Sequence, residues 1–342
     1  SDGNALCSIV YIEKSLYSVD KKSDIVIVLF LLFFTFGNFF FYIYRKTNYK
    51  VRIMSKKIED KYRKLTETEH VLQRPSMYIG STSLNISNKY VIENNECILK
   101  EIKQIPGFIK LFDEIIMNSV DESKRNPKLN RIDVDIDLKT NKISIKDNGG
   151  IPVQKHKEYN EWIPEMLFST LKAGSNFDDT ESREVGGLNG VGSVLVNIFS
   201  TEFKISTCDG KNSFVQTFYN NMEKRDKPTI KKSKNNHTEI SYIPDLKRFN
   251  LSEIDNDHYK ILEKRIYDLA GCNHKIKFYF NGNLVKINNF DDYIKLYTND
   301  FYSEKSNDSR WEIGIGLSND GFKQISYVNS VETYDGGTHV DL

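Results

Sequence analysis

The sequence is poor in cysteine and has almost no excess charge of either sign. The four cysteines among its 342 residues are scattered without a C-x-x-C pair: Cys7, Cys97, Cys208 and Cys272. This spacing indicates neither a zinc site nor a disulfide framework and favours a reducing compartment. The formal net charge is only +1, so charge alone neither indicates nor excludes a polyanionic partner. The length and the 39% hydrophobic content are sufficient for two ordinary domains.

A long apolar run lies near the start of the chain. Residues 25–44 are apolar enough to span a bilayer, and basic residues follow from Arg45 to Lys57. No small-residue cleavage site is evident, which argues against a signal peptide. The composition changes at Met54, which opens the polar segment MSKKIEDKYRKL. We therefore expect residues 1–53 to be a non-native translated extension, with a transmembrane helix as the alternative.

The most informative stretch is residues 111–122, LFDEIIMNSVDE. Glu114, Asn118 and Asp121 are four and seven residues apart, so on a helix they share one face. Leu111, Ile115 and Val120 form an apolar face beside them. The pattern predicts a helix that brings two carboxylates and an amide next to a buried surface.

Two turning segments follow this helix. Residues 131–146 alternate as a hairpin across Thr140 and Asn141 and end in DNGGIP, which places Asp147 at a strand end. Further on, residues 185–199 (VGGLNGVGSVLVNIF) put several glycines directly before an apolar helical pattern. Glycines in such a position let backbone N–H groups approach a phosphate at a helix N-terminus.

Each of these signals has an ordinary structural explanation when taken alone. A carboxylate and an amide on a helix are often a solvated stripe or a cap, and a glycine-rich turn is often plain loop geometry. Together, the helical E-x-x-x-N, the D-N-G turn and the glycine-rich loop resemble, in order and spacing, the three nucleotide-binding boxes of the GHKL ATPases.

The flanking sequence narrows the resemblance to the ATPase region of the type IIA DNA topoisomerases. The segments RPSMYIG, from residue 74, and YVNSVETYDGGTH, from residue 327, are similar to motifs of that family, and the resemblance covers residues 64–342. Parts of the chain are similar to the eukaryotic and T4-like phage enzymes, whereas GLNGVGSVLVN is closer to bacterial gyrase.

The resemblance implies a role for each residue of the boxes. Glu114 would be the general base that activates the attacking water, and Asn118 would bind Mg²⁺. Asp147 would accept a hydrogen bond from the adenine amino group, assisted by Asn148. The remaining nucleotide contacts would come from Gly150, Ser175, Asn176, Gly187, Leu188, Asn189, Gly190, Val191, Gly192, Ser193 and Val194.

The chain departs from its relatives at two positions. Relatives commonly have one more residue between the two glycines of the D-N-G-x-G-I-P loop, whereas Gly149 and Gly150 are adjacent here. Eukaryotic relatives have lysine where Val194 stands. In the arm before the nucleotide domain, His70 and Tyr78 would lie where the family contacts its partner subunit. A tyrosine packed within its own domain is the alternative.

The expected fold class is α+β. We expect a GHKL (Bergerat) α/β sandwich over residues 54–209 and a ribosomal S5 domain 2-like transducer domain over residues 210–342, truncated at its end. A turn at Asp209-Gly210 marks the expected boundary. Strand patterns follow at residues 238–242, 275–280, 312–317 and 322–328, and an amphipathic helix at residues 257–270. The family's switch lysine would lie beyond Leu342.

The expected function is the ATP-operated clamp of a type II topoisomerase, with ATP and Mg²⁺ as ligands. Its expected partners are double-stranded DNA, mainly through other domains, a second copy of the chain in an ATP-dependent dimer, and further topoisomerase subunits. The expected location is the cytoplasm or the nucleoid or nuclear compartment. Two alternatives stay open: a membrane sensor histidine kinase, which would use residues 25–44, and a nucleotide-binding remnant without turnover.

Overall fold

The computed structural model describes residues 64–171, 191–307, 311–318 and 321–341. The chain divides into two units, residues 1–61 and 62–342, and every described residue belongs to the second. The apolar run at residues 25–44 lies outside the described residues. Within the described residues, no helix combines the length and the apolar character that crossing a bilayer requires.

The helices range from single turns to twenty residues. They are α1 (Glu67–Gln73), α2 (Pro106–Arg125), α3 (Ile163–Ser169), α4 (Gly192–Ile198), α5 (Asn256–Cys272), α6 (Phe290–Ile294) and α7 (Thr338–Asp341).

The start of α1 is fixed by a capping box, in which the Glu69 amide donates to Thr66 Oγ1 and the Thr66 amide donates to Glu69 Oε2. Asp255 caps α5 by accepting from the His258 amide. The amphipathic helix expected at residues 257–270 is thereby confirmed as α5.

The strands form one large sheet and several two-stranded ribbons. They are β1 (Asn85–Glu93), β2 (Glu96–Gln104), β3 (Arg131–Asp137), β4 (Lys142–Asp147), β5 (Ser200–Cys208), β6 (Asn212–Tyr219), β7 (Lys224–Arg225), β8 (Thr229–Lys232), β9 (His237–Pro244), β10 (Lys277–Phe280), β11 (Asn283–Leu284), β12 (Phe301–Lys305), β13 (Glu312–Gly316), β14 (Tyr327–Val328) and β15 (Val331–Glu332). The ribbons are β1–β2, β12–β13 and β14–β15.

The large sheet has nine strands in the order β11-β10-β3-β4-β9-β5-β6-β7, with β8 also paired to β6. Strands β10 and β3 are parallel, and the other pairs are antiparallel. At one end of the β6 edge lies β7, and at the other end lies β8.

One face of the sheet carries the core. On β3, Ile132, Val134 and Ile136 are buried while the residues between them are not, as expected for a sheet that is covered on one face. Apolar residues of α2, α4 and α5 join these strands in one hydrophobic cluster. The predicted hairpin is confirmed, with Val134 opposite Ile145 and Asn141 in the turn at φ +56°.

The sheet runs through the position where the sequence analysis placed a domain boundary. Strands β5 and β6 pair along their length, and Asp209 and Gly210 form the turn between them. The Asp209 carboxylate accepts from the amides of Lys211 and Asn212, so the turn signal at residues 209–210 marks a hairpin. Strand β9 then inserts between β4 and β5. We propose that the boundary lies beyond β11, the last strand of this sheet along the chain.

The segments beyond β11 follow the sequence analysis in part. The expected strand at residues 312–317 is present as β13, whereas in the segment 322–328 only Tyr327 and Val328 are in a strand. The Phe322 side chain is 90% exposed. The strand pattern therefore overestimated the strand content of this segment, because pairing requires a neighbouring strand and residues 322–325 have none among the described residues.

A buried histidine joins α5 to the start of α2. His258 is fully buried, its Nε2 accepts from the Ile105 amide at 3.1 Å, and its Nδ1 lies 2.8 Å from Asp255 Oδ1. Because Ile105 is the N-cap residue of α2, this side chain satisfies an amide that the helix cannot pair by itself.

Replacing this histidine should destabilise the fold. We expect His258→Ala to lower the free energy of unfolding by about 2–4 kcal/mol, because it leaves a cavity and an unpaired buried amide. Urea denaturation of the 342-residue chain measures the loss. The half-exposed His156, changed to alanine, is the control, with an expected loss below about 1 kcal/mol. Equal losses for the two variants would contradict the role given to His258.

Candidate functional site

Glu114 lies on α2 at the point where α4 begins. Its carboxylate is 2.6 Å from Lys110 Nζ, one turn earlier on the same helix, and its side chain is 22% exposed. The other side of the carboxylate lies against Gly192, the first residue of α4, so closely that a Cβ on Gly192 would overlap Glu114 Oε2. The absence of a side chain at residue 192 therefore gives the carboxylate its place.

The three polar residues predicted to share a helix face differ in their surroundings. Asn118 is exposed, while Asp121 is only 3% exposed and lies 3.5 Å from Lys124 Nζ. Glu114 is intermediate between them. The predicted helix and its buried residues Leu111, Ile115 and Val120 are confirmed.

Asp147 ends β4 as a buried carboxylate, 5% exposed. Its Oδ2 accepts from Ser119 Oγ at 2.6 Å, and its Oδ1 accepts from the Gly149 amide at 2.9 Å. Burial raises the pKa of Asp147, and the two hydrogen bonds oppose that increase without cancelling it. The carboxylate is thus held in one orientation, and each oxygen can accept a further hydrogen bond.

Asn148 is bonded to the loop that precedes β3. Its side-chain oxygen accepts from the amides of Asn130 and Arg131 at 3.0 and 3.1 Å, and its Nδ2 donates to the Lys128 carbonyl oxygen. The amide group therefore connects two loops at this end of the sheet. A part for Asn148 in nucleotide binding stays a prediction.

The short D-N-G-G loop packs directly on the end of β5. A Cβ on Gly150 would overlap the carbonyl oxygen of Cys208. Just beyond, the Ile151 amide donates to Thr207 Oγ1 at 3.0 Å and the Val153 amide donates to Asp209 Oδ2 at 3.0 Å. Gly150 thus permits a close crossing of two backbones, and the segment that follows is fixed by hydrogen bonds.

The end of the glycine-rich loop is described from Val191 onward. Val191 is the N-cap residue of α4, and Ser193 Oγ donates to the Leu167 carbonyl oxygen at 3.0 Å, which joins α4 to α3. The Val194 side chain is buried in the core. The amides of the first turn of α4 have no partner within the helix. The remaining predicted residues lie outside the described residues: Ser175, Asn176, Gly187, Leu188, Asn189 and Gly190.

His70 and Tyr78, the two residues singled out in the arm before the nucleotide domain, contact each other. His70 Nδ1 lies 2.8 Å from the Tyr78 hydroxyl, and the two rings meet edge to face. Tyr78 is partly buried against the core of its own chain.

Sequence reasoning missed Ser119 and Thr207. Ser119 positions Asp147, and Thr207 positions the backbone after Gly150. Ser119 is a hydroxyl residue among apolar neighbours on the buried side of α2, which was a usable signal. Thr207 had no such signal, because its partner is 56 residues away in the sequence.

Two similar proteins of known identity are both DNA topoisomerase 2. The chain is 41% identical over 303 residues to DNA topoisomerase 2 from Arabidopsis thaliana, covering 84% of this chain and 20% of that protein. It is 38% identical over 309 residues to DNA topoisomerase 2 from Saccharomyces cerevisiae, covering 82% of this chain and 22% of that protein. A scan against protein-family models found no match.

Solved structures decide the assignment. The ATPase region of Saccharomyces cerevisiae topoisomerase II, bound to ICRF-187 (dexrazoxane), matches with a TM-score of 0.79 at 39% identity, over 82% of this chain and 78% of that one. The chain belongs to the type II DNA topoisomerase family. The ATPase and transducer domains of topoisomerase II from Balamuthia mandrillaris also match, with a TM-score of 0.79 at 38% identity, over 84% of this chain and 76% of that one.

The match to topoisomerase II confirms the α+β fold class and the ATPase and transducer architecture. The chain spans 20% and 22% of the length of the two topoisomerase 2 proteins named above. The sensor histidine kinase alternative is not supported, because the relatives are topoisomerases.

The buried carboxylate of Asp147 should give a distinctive pH dependence of stability. Because the folded-state pKa of Asp147 is raised, the folded state holds its proton more tightly, and stability falls as pH rises from the ordinary aspartate pKa of about 3.9 toward the raised value. Asparagine does not titrate. We therefore expect Asp147→Asn to gain stability over the wild type as pH rises from 4 to 7 in urea denaturation.

Asp137 provides a control of opposite sign. Hydrogen bonds from Thr140 Oγ1 and the Lys139 amide lower the pKa of its exposed carboxyl, so its stabilisation is present at neutral pH and lost in acid. Asp137→Asn should be less stable than the wild type at pH 7, with a difference that shrinks mainly below the ordinary aspartate pKa of about 3.9. A pH-independent effect of Asp147→Asn would show that its carboxylate is not under a burial penalty.

Proposed function

We propose that this chain is the ATP-operated clamp of a type II DNA topoisomerase, which binds and hydrolyses Mg-ATP. The observation that carries the proposal is the position of the Glu114 carboxylate against the start of α4, at the end of the predicted glycine-rich loop. It is supported by the match to the ATPase region of topoisomerase II.

Asp147 would bind the base of the nucleotide. Ser119 and Gly149 hold this carboxylate and leave lone pairs unused. It is therefore suited to accept a hydrogen bond from the adenine amino group. The amides of Val191, Gly192, Ser193 and Val194, with the predicted residues before them, would face the phosphates. Asn148 and Gly150 would shape the loop between the two regions.

Glu114 would orient the attacking water and accept its proton. Because Gly192 has no Cβ, the carboxylate can lie beside the helix start, where a γ-phosphate bound to those amides would lie. Lys110 holds the other side of the carboxylate. Transfer of the proton to Glu114 as the water attacks phosphorus completes the residue's part in hydrolysis.

The donor set around Glu114 fits a phosphate-bound magnesium ion. Asn118 is exposed, one helical turn beyond Glu114, and Mg²⁺ keeps several waters while taking few protein ligands. The side-chain oxygen of Asn118 would be a neutral ligand of the kind that such an ion takes. When bound, the ion supplies neutralisation of phosphate charge.

The clamp would act on DNA as a dimer of two copies of the chain, in the compartment that holds the DNA. ATP favours the closed dimer only as far as it binds that state more tightly than the open one. Tyr78, with His70 behind it, is our candidate for contact with the partner copy. Contact with further topoisomerase subunits would involve domains beyond this chain.

The first test removes the general base. We expect Glu114→Gln to retain nucleotide affinity within about threefold in calorimetry and to lower the rate of ATP hydrolysis at least ~100-fold, because the amide keeps the shape but cannot accept the proton. With Mg-ATP, light scattering should find this variant as a lasting dimer. The matched control is Glu122→Gln on the same helix, whose carboxylate pairs with Arg125.

The outcomes separate the candidate functions. Hydrolysis within a few-fold of the wild type in Glu114→Gln would contradict the base assignment. Nucleotide binding without turnover in the wild type would support the remnant alternative. Failure of the wild type to bind nucleotide would defeat the proposal as a whole.

Gly192 gives a second test of the same carboxylate. We expect Gly192→Ala to lower kcat at least ~10-fold, because the new methyl group must displace Glu114. The melting temperature should fall little, since alanine is more favourable than glycine in a helix by about 1 kcal/mol and so offsets part of the strain. Unchanged kcat together with unchanged stability would show that the carboxylate can move without cost.

A further inference from the structure

Arg265 connects three parts of the described chain. It lies on α5, is 8% exposed, and its Nε donates to Asp113 Oδ1 at 2.6 Å. Its Nη1 donates to the Ser330 carbonyl oxygen at 2.8 Å, and its Nη2 lies 3.4 Å from Met117 Sδ. All three nitrogens of the guanidinium thus have partners, which the planar fork of arginine allows and a lysine ammonium does not reproduce.

Two of these partners are the immediate neighbours of the predicted catalytic residues. Asp113 precedes Glu114, and Met117 precedes Asn118. Asp113 and Met117 are one turn apart, so Arg265 holds a strip of α2 that is rotated by one residue from the strip that carries Glu114 and Asn118. A rotation or shift of α2 would therefore strain the contacts of Arg265 and the position of the Glu114 carboxylate together.

The third partner belongs to a hairpin near the end of the described chain. Ser330 lies in the turn between β14 and β15, at φ +67°, and is 6% exposed. Its hydroxyl also accepts from Asn273 Nδ2 at 3.0 Å. The tip of the hairpin is therefore inserted against α5 and held through backbone and side chain.

The hairpin is connected to the same helix at a second point, through Tyr293 of α6. The Tyr327 hydroxyl lies 2.9 Å from the Tyr293 hydroxyl, which donates to Asp268 Oδ1 at 2.7 Å. Asp268 also pairs with Lys264, the residue before Arg265. The hairpin is thus held against α5 at two points. Besides His258, which joins α5 to the start of α2, Arg265 links α5 to the part of α2 that carries Glu114 and Asn118.

Charge makes this link stronger than an ordinary surface pair. Burial by itself would lower the pKa of Arg265, but the Asp113 carboxylate raises it above the ordinary value. The guanidinium is therefore charged at every relevant pH. A buried charge whose partner moves away is costly, so α2 and α5 are under a common constraint.

We propose that Arg265 is a positioning residue that couples the catalytic strip of α2 to the hairpin of residues 327–332. Nucleotide binding at Glu114 and Asn118 fixes α2, Arg265 transfers that constraint to the Ser330 carbonyl, and the hairpin becomes more rigid. The inference rests on the proposed nucleotide site and adds to it a route by which that site acts on the segment that follows the ATPase sheet.

Hydrogen exchange measured by mass spectrometry tests the coupling in the 342-residue chain. With Mg²⁺ and a non-hydrolysable ATP analogue, amides at residues 327–332 of the wild type should exchange ~10-fold or more slowly than without the analogue. In Arg265→Lys this nucleotide-dependent change should be lost, while calorimetric affinity for the analogue stays within about threefold. A fall in kcat at unchanged KM should accompany the loss.

Two further variants make the test specific. Arg248→Lys is the matched control, because Arg248 Nε also donates to a carboxylate, Asp245 Oδ2 at 2.8 Å, but at a more exposed position. It should keep the wild-type response. Asp113→Asn keeps an acceptor for Arg265 and removes the charge, and it should weaken the response. It replaces Arg265→Lys as the test if that variant fails to fold.

Each outcome decides the question. Analogue binding by the wild type without slower exchange at residues 327–332 would overturn the coupling and leave the nucleotide site intact. A normal response in a folded Arg265→Lys or Asp113→Asn variant would show that another route carries it. No analogue binding by the wild type would overturn the proposed function, and the coupling with it.

Discussion

The structure depends on how α2 is seated against the sheet. Its buried residues, among them Leu111, Phe112 and Ile115, lie in the common core with β3 and β4, and each contributes about 1.5–3 kcal/mol by leaving water. This burial fixes the rotation of the helix. Once the rotation is fixed, three polar residues of α2 have defined neighbours: Glu114 the start of α4, Ser119 the end of β4, and Asp113 the guanidinium of Arg265.

The local parts of this arrangement could be read from the sequence, because they follow from periodicity and turn chemistry. The helix at residues 111–122, the hairpin of β3 and β4, and the position of Asp147 at a strand end all have a local cause. The contacts between these parts had no local signal. Arg265 and Asp113 are 152 residues apart, and nothing near either residue in the sequence indicates that they meet.

The domain organisation shows the same limit. Asp209-Gly210 is a strong turn signal, and a turn of this kind is equally suited to a hairpin and to a boundary. The choice between them is made by β9, which returns to pair with both β4 and β5 and so keeps residues after 210 in the first sheet. Strand order is a tertiary property that a single sequence does not display. The shortened D-N-G-G loop is a similar case, because its fit depends on the backbone of β5 passing beside Gly150.

The β6 edge of the nine-stranded sheet has a consequence for the chain in concentrated solution. The two short strands β7 and β8 divide that edge, and Lys224, Lys231 and Lys232 on them are exposed. A second chain approaching this edge meets only short stretches of unpaired backbone, each flanked by ammonium groups that repel an identical edge. The sheet therefore discourages fibril-like growth through its β6 edge, even though it is assembled from long antiparallel strands that are individually prone to it.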